Sequence, residues 1–244
     1  NWFVNGKLNI TENCLDGHLA DKGDKIAIIW EPNDPNEDAI SITYNELHQR
    51  VCEFANVLLN NGAKKGDRIC LYMPMVPELA IATLACARIG AIHSVVFAGF
   101  SAKALADRIN DADCNILLTS DGLFRGTKQL CLKDIADEAL KHCNTINACI
   151  VLKRTNQDVN MVDGRDLWWH DELQKVNHHC DAQIMDSEDP LFVLYTSGST
   201  GKPKGVQHHC GGYMVYAEYS FRNVFQYEED DVYWCTADIG WITG

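Results

Sequence analysis

Residues 191–206 read LFVLYTSGSTGKPKGV, an apolar run followed by a loop rich in glycine, small hydroxyl residues and lysine. The apolar run Leu191–Tyr195 is short and rich in large side chains, which predicts a buried strand. Glycines and small hydroxyl residues allow successive backbone N–H groups to point at one anion, and Lys202 and Lys204 add positive charge. The stretch therefore predicts a strand, a phosphate-binding loop and a second strand over Gly205–His209.

Two other interpretations of this loop fit its spacing less well. A Walker A loop is one, but Gly198 precedes Gly201 by only three positions, and Pro203 stands where that motif needs Ser or Thr. A plain surface turn of glycine and serine is the other, although this loop is longer and carries more lysine than a turn needs. A phosphate-binding loop remains the preferred interpretation.

The region before this stretch alternates between strand and helix patterns. Short apolar runs predict strands over 67–72, 91–97 and 115–119, with helices that begin at Pro77 and Ser101 between them. Strands and helices that alternate at this spacing are typical of a parallel sheet with helices on its faces. The predicted fold class is α/β, with layered βαβ units and mainly parallel sheets flanked by helices.

Local signals predict several further elements and one boundary. Thr43 and Glu46 have the spacing of a capping box, which predicts the start of a helix. We also expect a loop that carries Arg125 and Lys128, a helix over 213–225 after a break at Gly211 and Gly212, and a strand over 231–235. The acidic segment 181–189 predicts a boundary near residue 185, which gives a first sheet unit over 1–185 and the start of a second over 186–244.

Composition excludes several classes of function. The net charge of −13 argues against a nucleic-acid or anionic-membrane surface. There is no apolar run of the ~18 residues that a membrane span needs, and the first residues lack a signal-peptide pattern. The 11 cysteines are scattered, which favours reduced thiols in a cytoplasmic protein. The His-His-Cys triplets that end at Cys180 and Cys210 suit one metal poorly, because adjacent residues in an extended segment point to opposite faces; no metal site is predicted.

Two predicted strand ends carry side chains suited to a ligand. Phe97–Gly99 follow one strand, while Arg125 and Lys128 flank a glycine after the next. Ligands of parallel sheets lie beyond the carboxyl ends of the strands, and paired cations suit a phosphate group. From the residues alone, a phosphate site and an ordinary charged surface loop explain the second segment equally well.

These motifs together resemble those of the AMP-forming acyl-CoA synthetases, which belong to the acyl-adenylate-forming enzymes. The loop at 195–206 is similar to the family's signature for the β- and γ-phosphates of ATP. Phe97–Ser101, Arg125–Lys128 and Trp241–Gly244 resemble segments of its acetyl-CoA synthetase members. The resemblance covers essentially the whole chain and implies an incomplete N-terminal domain of an adenylate-forming enzyme. The family's catalytic lysine is expected in a missing C-terminal domain, so no catalytic residue is assigned within this chain.

The resemblance also implies particular site residues. ATP binding is expected at Thr196, Ser197, Gly198, Ser199, Thr200, Gly201 and Lys202. Coenzyme A binding is expected at Phe97, Ala98 and Gly99 beside the adenosine, at Arg125, Gly126, Thr127 and Lys128 on the phosphates including the 3′-phosphate, and at Thr243. Acetate binding is expected at Trp241, Ile242 and Thr243.

The function implied by the resemblance is that of an AMP-forming acetate–CoA ligase. Acetate and ATP would give acetyl-AMP and pyrophosphate, and the acetyl group would then pass to coenzyme A. ATP, coenzyme A and Mg²⁺ are the expected cofactors, and small molecules rather than nucleic acid or membrane are the expected partners. This partial chain is itself expected to be inactive. Two alternatives stay open: a propionyl-CoA or other short-chain acyl-CoA synthetase, and a catalytically silent nucleotide-binding fragment.

Overall fold

A mainly parallel sheet of seven strands lies at the centre of the fold. This computed structural model describes residues 3–196 and 203–241. The strands are β1 (Ile26–Trp30), β2 (Ile40–Thr43), β3 (Arg68–Tyr72), β4 (Ile92–Val95), β5 (Ile116–Ser120), β6 (Gly122–Arg125), β7 (Lys128–Cys131), β8 (Ala148–Leu152), β9 (Asp166–Trp168), β10 (Pro190–Thr196) and β11 (Lys204–His209). A π-helical turn at Glu12–Asp16 leads into α1 (Gly17–Lys22), and the later helices are α2 (Tyr44–Asn60), α3 (Pro77–Arg88), α4 (Ala102–Ala112), α5 (Leu132–Leu140), α6 (Trp169–Leu173) and α7 (Cys210–Asn223). Within the described ranges, none of the helices has the length and apolar character needed to cross a membrane.

The order of strands in the central sheet reverses its direction at β3, which creates a topological switch point there. The order is β11-β10-β4-β3-β5-β8-β9, and all neighbours pair in parallel except β10 with β11. The segment β4-β3-β5-β8-β9 reproduces the 2-1-3-4-5 order of a doubly wound fold, in which ligands bind beyond the carboxyl ends of the strands near the switch point. The predicted α/β class is confirmed, and the switch point lies between β3 and β5.

Helices cover both faces of the sheet. Side chains along each strand alternate between the two faces, so apolar side chains on each face pack against helices. Ile69 and Leu71 of β3 belong to the core formed with α2 and α3, whereas Cys70 and Tyr72 belong to the core formed with α4 and α5. All four side chains are fully buried. Burial on both faces explains why these strands are continuous apolar runs rather than alternating ones.

Helix α2 begins where the capping pattern predicts. The backbone N–H of Glu46 donates to Oγ1 of Thr43 at 3.2 Å, and the Glu46 carboxylate accepts from the Thr43 backbone N–H at 2.9 Å. These two bonds satisfy backbone donors that have no partner inside the helix. The helix ends at Asn60, and Gly62 then adopts a φ of +88°, which favours glycine.

Residues 122–131 form a β-hairpin, so the predicted loop around Arg125 and Lys128 is wrong. β6 and β7 are antiparallel with Arg125 opposite Lys128, which leaves Gly126 and Thr127 as a two-residue turn. Gly126 adopts a φ of +61°, as a type II′ turn requires at its first central position. Each strand has only four residues, which is too short for its alternation to stand out in the sequence.

Two predicted elements near the end of the described chain are also corrected. α7 starts at Cys210 and includes both Gly211 and Gly212 rather than beginning after them. Gly211 donates its N–H to the Ser187 carbonyl at 2.9 Å, and a Cβ on it would lie 2.8 Å from the Ser187 Cβ. This glycine therefore permits close packing against Ser187 and does not interrupt the helix. Residues 231–235 are not a strand, because no other strand of the described ranges pairs with them.

The later strands continue the sheet that the earlier ones begin. β10 pairs in parallel with β4, and β11 follows β10 at the edge. The two strands predicted on either side of the glycine-rich segment are therefore confirmed as an antiparallel pair, and the predicted loop between them, over 197–202, lies outside the described residues. The boundary predicted near residue 185 stays a prediction.

Candidate functional site

A cleft of about 420 Å³ opens at the edge of the sheet where β3 and β4 end. Its walls come from the loops after these two strands, from the β6–β7 hairpin and from the connection between β1 and β2. The residues that line it include Trp30, Asn33, Phe97, Ala98, Gly99, Phe124, Arg125, Arg154 and Asp238. The cleft lies beside the switch point, where a doubly wound sheet typically binds its ligand.

The Phe97–Gly99 loop forms one wall and is held by Tyr72. The Tyr72 hydroxyl donates to the Phe100 carbonyl at 2.7 Å and to the Ala98 carbonyl at 3.2 Å. Burial raises the pKa of Tyr72, which keeps the hydroxyl protonated as a donor. A Cβ on Gly99 would lie 2.3 Å from Cε1 of Phe97, so the loop needs glycine there for the Phe97 ring to take its position.

Trp241 packs against the same loop. Its ring centroid lies 5.5 Å from that of Phe97 and 5.7 Å from that of Phe100. Gly240 permits this approach, since a Cβ there would lie 2.8 Å from the Phe97 backbone nitrogen. Trp241, expected at the acetate, is thus in contact with Phe97, expected at coenzyme A. The other residues expected at the acetate, Ile242 and Thr243, lie outside the described residues.

Asp238 places a carboxyl group in the cleft and shapes the turn before Trp241. Its Oδ1 accepts from the Gly240 N–H at 2.7 Å, and its backbone carbonyl accepts from the Trp241 N–H at 3.0 Å. Burial raises the pKa of Asp238, and the Gly240 bond only partly opposes this effect. The turn that Asp238 closes brings Trp241 to Phe97.

The β6–β7 hairpin presents two cations side by side at the rim. Arg125 lines the cleft, whereas Gly126 and Thr127 in the turn and Lys128 at the start of β7 do not line it. Arg125 and Lys128 face each other across the hairpin, both are exposed, and within residues 3–196 and 203–241 neither forms an ion pair. Like charges directly opposite each other destabilise a strand pair, and a bound anion would remove that cost.

Sequence reasoning missed Trp30, Asn33 and Arg154 as cleft residues. Arg154 comes two positions after β8, so a search for cations at strand ends could have found it. Trp30 and Asn33 carried no such signal, because β1 belongs to a separate two-stranded hairpin rather than to the parallel sheet. Only the folded chain brings that hairpin to the cleft.

Asp121 connects the basic hairpin to the segment that carries Arg154. This carboxylate is fully buried and accepts backbone N–H groups from Gly122 at 2.7 Å, Arg154 at 2.8 Å and Gln157 at 3.1 Å. Charge-assisted bonds to backbone donors compensate for burying the charge. Asp121 therefore fixes the two segments relative to each other.

The predicted phosphate loop joins β10 to β11 at the same edge of the sheet. Thr196 ends β10 opposite Lys204 of β11, and β10 runs parallel to β4, so the loop starts on the side where the cleft opens. The remaining residues expected at ATP lie outside the described residues; these are Ser197, Gly198, Ser199, Thr200, Gly201 and Lys202.

The two His-His-Cys segments contact different parts of the protein. His178 pairs with Glu53, and the His208 ring stacks on Phe192 with centroids 4.3 Å apart. In the part of the chain that the structure describes, no group of three or more His, Cys, Asp or Glu side chains is placed to hold a metal ion.

Comparison with known proteins covers nearly the whole chain. Residues 15–244 match the family described as AMP-binding enzyme. The chain is 58% identical over 243 residues to the acetyl-coenzyme A synthetase of Desulfatibacillum aliphaticivorans and 57% identical to that of Saccharophagus degradans, in each case covering 100% of this chain and 38% of the relative. It is 55% identical to the acetyl-coenzyme A synthetase of Nostoc linckia, of which it covers 72%.

A solved structure shares the fold. The acetoacetyl-CoA synthetase from Streptomyces lividans superposes with a TM-score of 0.90 at 26% sequence identity. The match covers 99% of this chain and 36% of that protein. The chain thus spans about the same share of this structure as of the first two relatives.

Proposed function

Because the chain belongs to the AMP-binding enzyme family, we propose that it forms the coenzyme A cleft and the ATP phosphate loop of an AMP-forming acetate–CoA ligase. In that reaction the acetate carboxylate attacks the α-phosphorus of ATP and pyrophosphate leaves. The sulfur of coenzyme A then attacks the acetyl carbon of acetyl-AMP and AMP leaves. One observation carries the proposal: Phe97 and Arg125 line one cleft, and Trp241 packs on Phe97.

Coenzyme A is proposed to bind with its adenosine against the Phe97–Gly99 loop. An aromatic ring beside an open cleft offers a stacking surface for a base. Arg125 and Lys128 would bind the nucleotide phosphates from the rim, because their charges lie side by side with no acidic partner in the described residues. Gly126 and Thr127, which form the turn between them, would complete this phosphate site.

The ATP phosphates are assigned to the loop that follows β10. The hydroxyl groups of this loop and Lys202 would hold the pyrophosphate as it leaves, which is catalysis by positioning and charge neutralisation. Mg²⁺ would add charge neutralisation at the phosphates when it is bound. The position of Thr196 on the cleft side of the sheet supports this assignment.

Acetate is assigned to Trp241, Ile242 and Thr243. None of these side chains needs to act as a general base, because a carboxylate is already nucleophilic. Thr243 would lie where the carboxylate and the incoming thiol meet. The catalytic lysine is proposed to lie outside these residues, so the 244-residue chain alone is proposed to be inactive.

The proposal extends to the organisation and the location of the protein. We propose a first unit over residues 1–185 that carries the coenzyme A cleft, and the start of a second over 186–244 that carries the ATP loop. A cytoplasmic location is proposed from the scattered cysteines. Small molecules are the proposed partners.

Acetate-dependent exchange of labelled pyrophosphate into ATP tests the ligase proposal. We expect exchange from a chain extended to the full length of the relatives and none from these 244 residues. Exchange by the 244 residues alone would refute the proposal that this chain is inactive without the catalytic lysine. Absence of exchange from the extended chain would overturn the ligase proposal and favour the silent nucleotide-binding alternative.

A second candidate concerns the acid rather than the reaction. The solved structure with a TM-score of 0.90 is an acetoacetyl-CoA synthetase, so the same backbone accommodates a larger acid. The exchange assay is therefore run with acetate, propionate and acetoacetate at equal concentrations. A higher rate with either larger acid than with acetate would replace acetate as the proposed substrate.

A further inference from the structure

The connection between β1 and β2 reaches the turn of the basic hairpin. Nδ2 of Asn33 donates to the carbonyl of Gly126 at 2.8 Å. Gly126 is the residue with positive φ between Arg125 and Lys128. The bond therefore fixes the turn from which both cations project.

Arg154 makes a second connection between the same two parts of the protein. Its guanidinium carbon lies 5.2 Å from the ring centroid of Trp30, on β1, and 4.9 Å from that of Phe124, on β6. Its Nη2 also pairs with the Glu37 carboxylate at 3.2 Å, and its side chain is only 18% exposed. The guanidinium is thus occupied by protein groups, which makes it a connector rather than a phosphate ligand.

The hairpin needs such connections to hold a defined position. β6 and β7 form their own two-stranded sheet and do not join the central one, and an isolated two-stranded hairpin is marginally stable. Its turn is exposed and carries two opposed like charges. A turn held in place before binding loses less freedom when the ligand arrives, and the ligand binds more tightly for that reason.

We propose that Asn33 and Arg154 are positioning residues that set the preference for coenzyme A over its analogue without the 3′-phosphate. This inference rests on the proposed function, which places the nucleotide phosphates on Arg125 and Lys128. Asn33 holds the turn between the two cations, and Arg154 holds the strand that leads into it. Neither residue touches the phosphate.

Binding of coenzyme A and of 3′-dephospho-coenzyme A to this 244-residue chain tests the proposal. Isothermal titration is expected to show about a fivefold lower affinity for coenzyme A in Asn33→Ala, the effect of one net hydrogen bond. Affinity for the dephospho analogue is expected to change less than about twofold, since the substitution acts through the phosphate site. Arg154→Lys keeps the charge but loses the planar contact with the rings, and should shift the preference in the same direction.

Asn36→Ala is the matched control, because Asn36 lies in the same connection and, among the described residues, donates hydrogen bonds only to Asp34, at 2.9 Å. An unchanged preference in Asn33→Ala, or an equal loss for both ligands, would overturn the inference. No preference in the unsubstituted chain would overturn both the inference and the phosphate assignment.

Hydrogen exchange of the β6 and β7 amides distinguishes these failures. Faster exchange in Asn33→Ala than in Asn36→Ala, without ligand, is expected if Asn33 positions the hairpin. Equal exchange in the two variants would refute the positioning role, whatever the hairpin binds.

Discussion

Replacing Tyr72 with phenylalanine removes one hydroxyl group from behind the wall of the cleft. That hydroxyl donates to the Phe100 carbonyl at 2.7 Å and to the Ala98 carbonyl at 3.2 Å, and the side chain is fully buried. The ring itself keeps its place in the core with α4 and α5. The substitution therefore tests the two hydrogen bonds with little change in packing.

The expected loss of stability follows from these contacts. A net hydrogen bond contributes about 1 kcal/mol, and a buried carbonyl left without its donor costs about 1–3 kcal/mol. The two contacts share one proton, so they do not add fully. We expect Tyr72→Phe to lower the free energy of unfolding by about 2 kcal/mol, which for a chain of this size lowers the melting temperature by about 4–8 °C.

The loop that loses its donor also forms the proposed adenosine site, so coenzyme A binding should weaken by about fivefold, or about 1 kcal/mol. Urea denaturation and isothermal titration measure the two effects. Tyr213→Phe is the matched control, since the Tyr213 ring packs edge-on against Phe192 at 4.9 Å and its hydroxyl makes no hydrogen bond to another described residue. If Tyr72→Phe is as stable as Tyr213→Phe, the hydrogen-bond argument fails. If it is destabilised but binds coenzyme A normally, the loop is not part of the site.

The remaining predictions concern one glycine and one histidine. Gly99→Ala should weaken coenzyme A binding by about tenfold, because the added Cβ would lie 2.3 Å from Cε1 of Phe97 and such overpacking costs at least about 1 kcal/mol. Isothermal titration checks this against Gly212→Ala, where an added Cβ meets nothing within 4 Å. Equal affinities of the two variants for coenzyme A would contradict the prediction. Burial lowers the pKa of His93 from 6.5 to about 4 in the folded chain. As the pH drops from 6.5 toward 4, the unfolded chain therefore binds a proton at His93 before the folded chain does, and the free energy of unfolding should fall. Urea denaturation across this range should show a smaller pH dependence for His93→Gln, and an unchanged dependence would exclude His93 as its source.

The sequence was sufficient for the elements whose signals are local. The Thr43–Glu46 capping box marked the start of α2, and the apolar runs at 67–72 and 115–119 marked two neighbouring strands of the parallel sheet. In such a sheet the strand ends share an edge. Phe97 and Arg125 could therefore be named as candidate site residues before their positions were known.

The rest of the site depends on contacts between distant parts of the chain. Trp30 and Asn33 reach the hairpin at Phe124 and Gly126 only in the folded protein, through Arg154 and through a direct hydrogen bond. No local pattern records such a contact. The β6–β7 hairpin was also missed because its strands are short. Helix α7 was predicted, but its start was placed three residues late, because close packing rather than a chain break accounts for Gly211.

The separate hairpin that carries Arg125 and Lys128 has a consequence for how this family can diversify. Its strands hydrogen-bond to each other and not to the seven-stranded sheet, so most substitutions in it leave the central core unchanged. If the hairpin binds the coenzyme A phosphates as proposed, ligand choice and fold depend on different segments of the chain. An engineer could exchange the hairpin as a cassette, keeping Asp121 as its anchor, and select new coenzyme preferences on an unaltered scaffold.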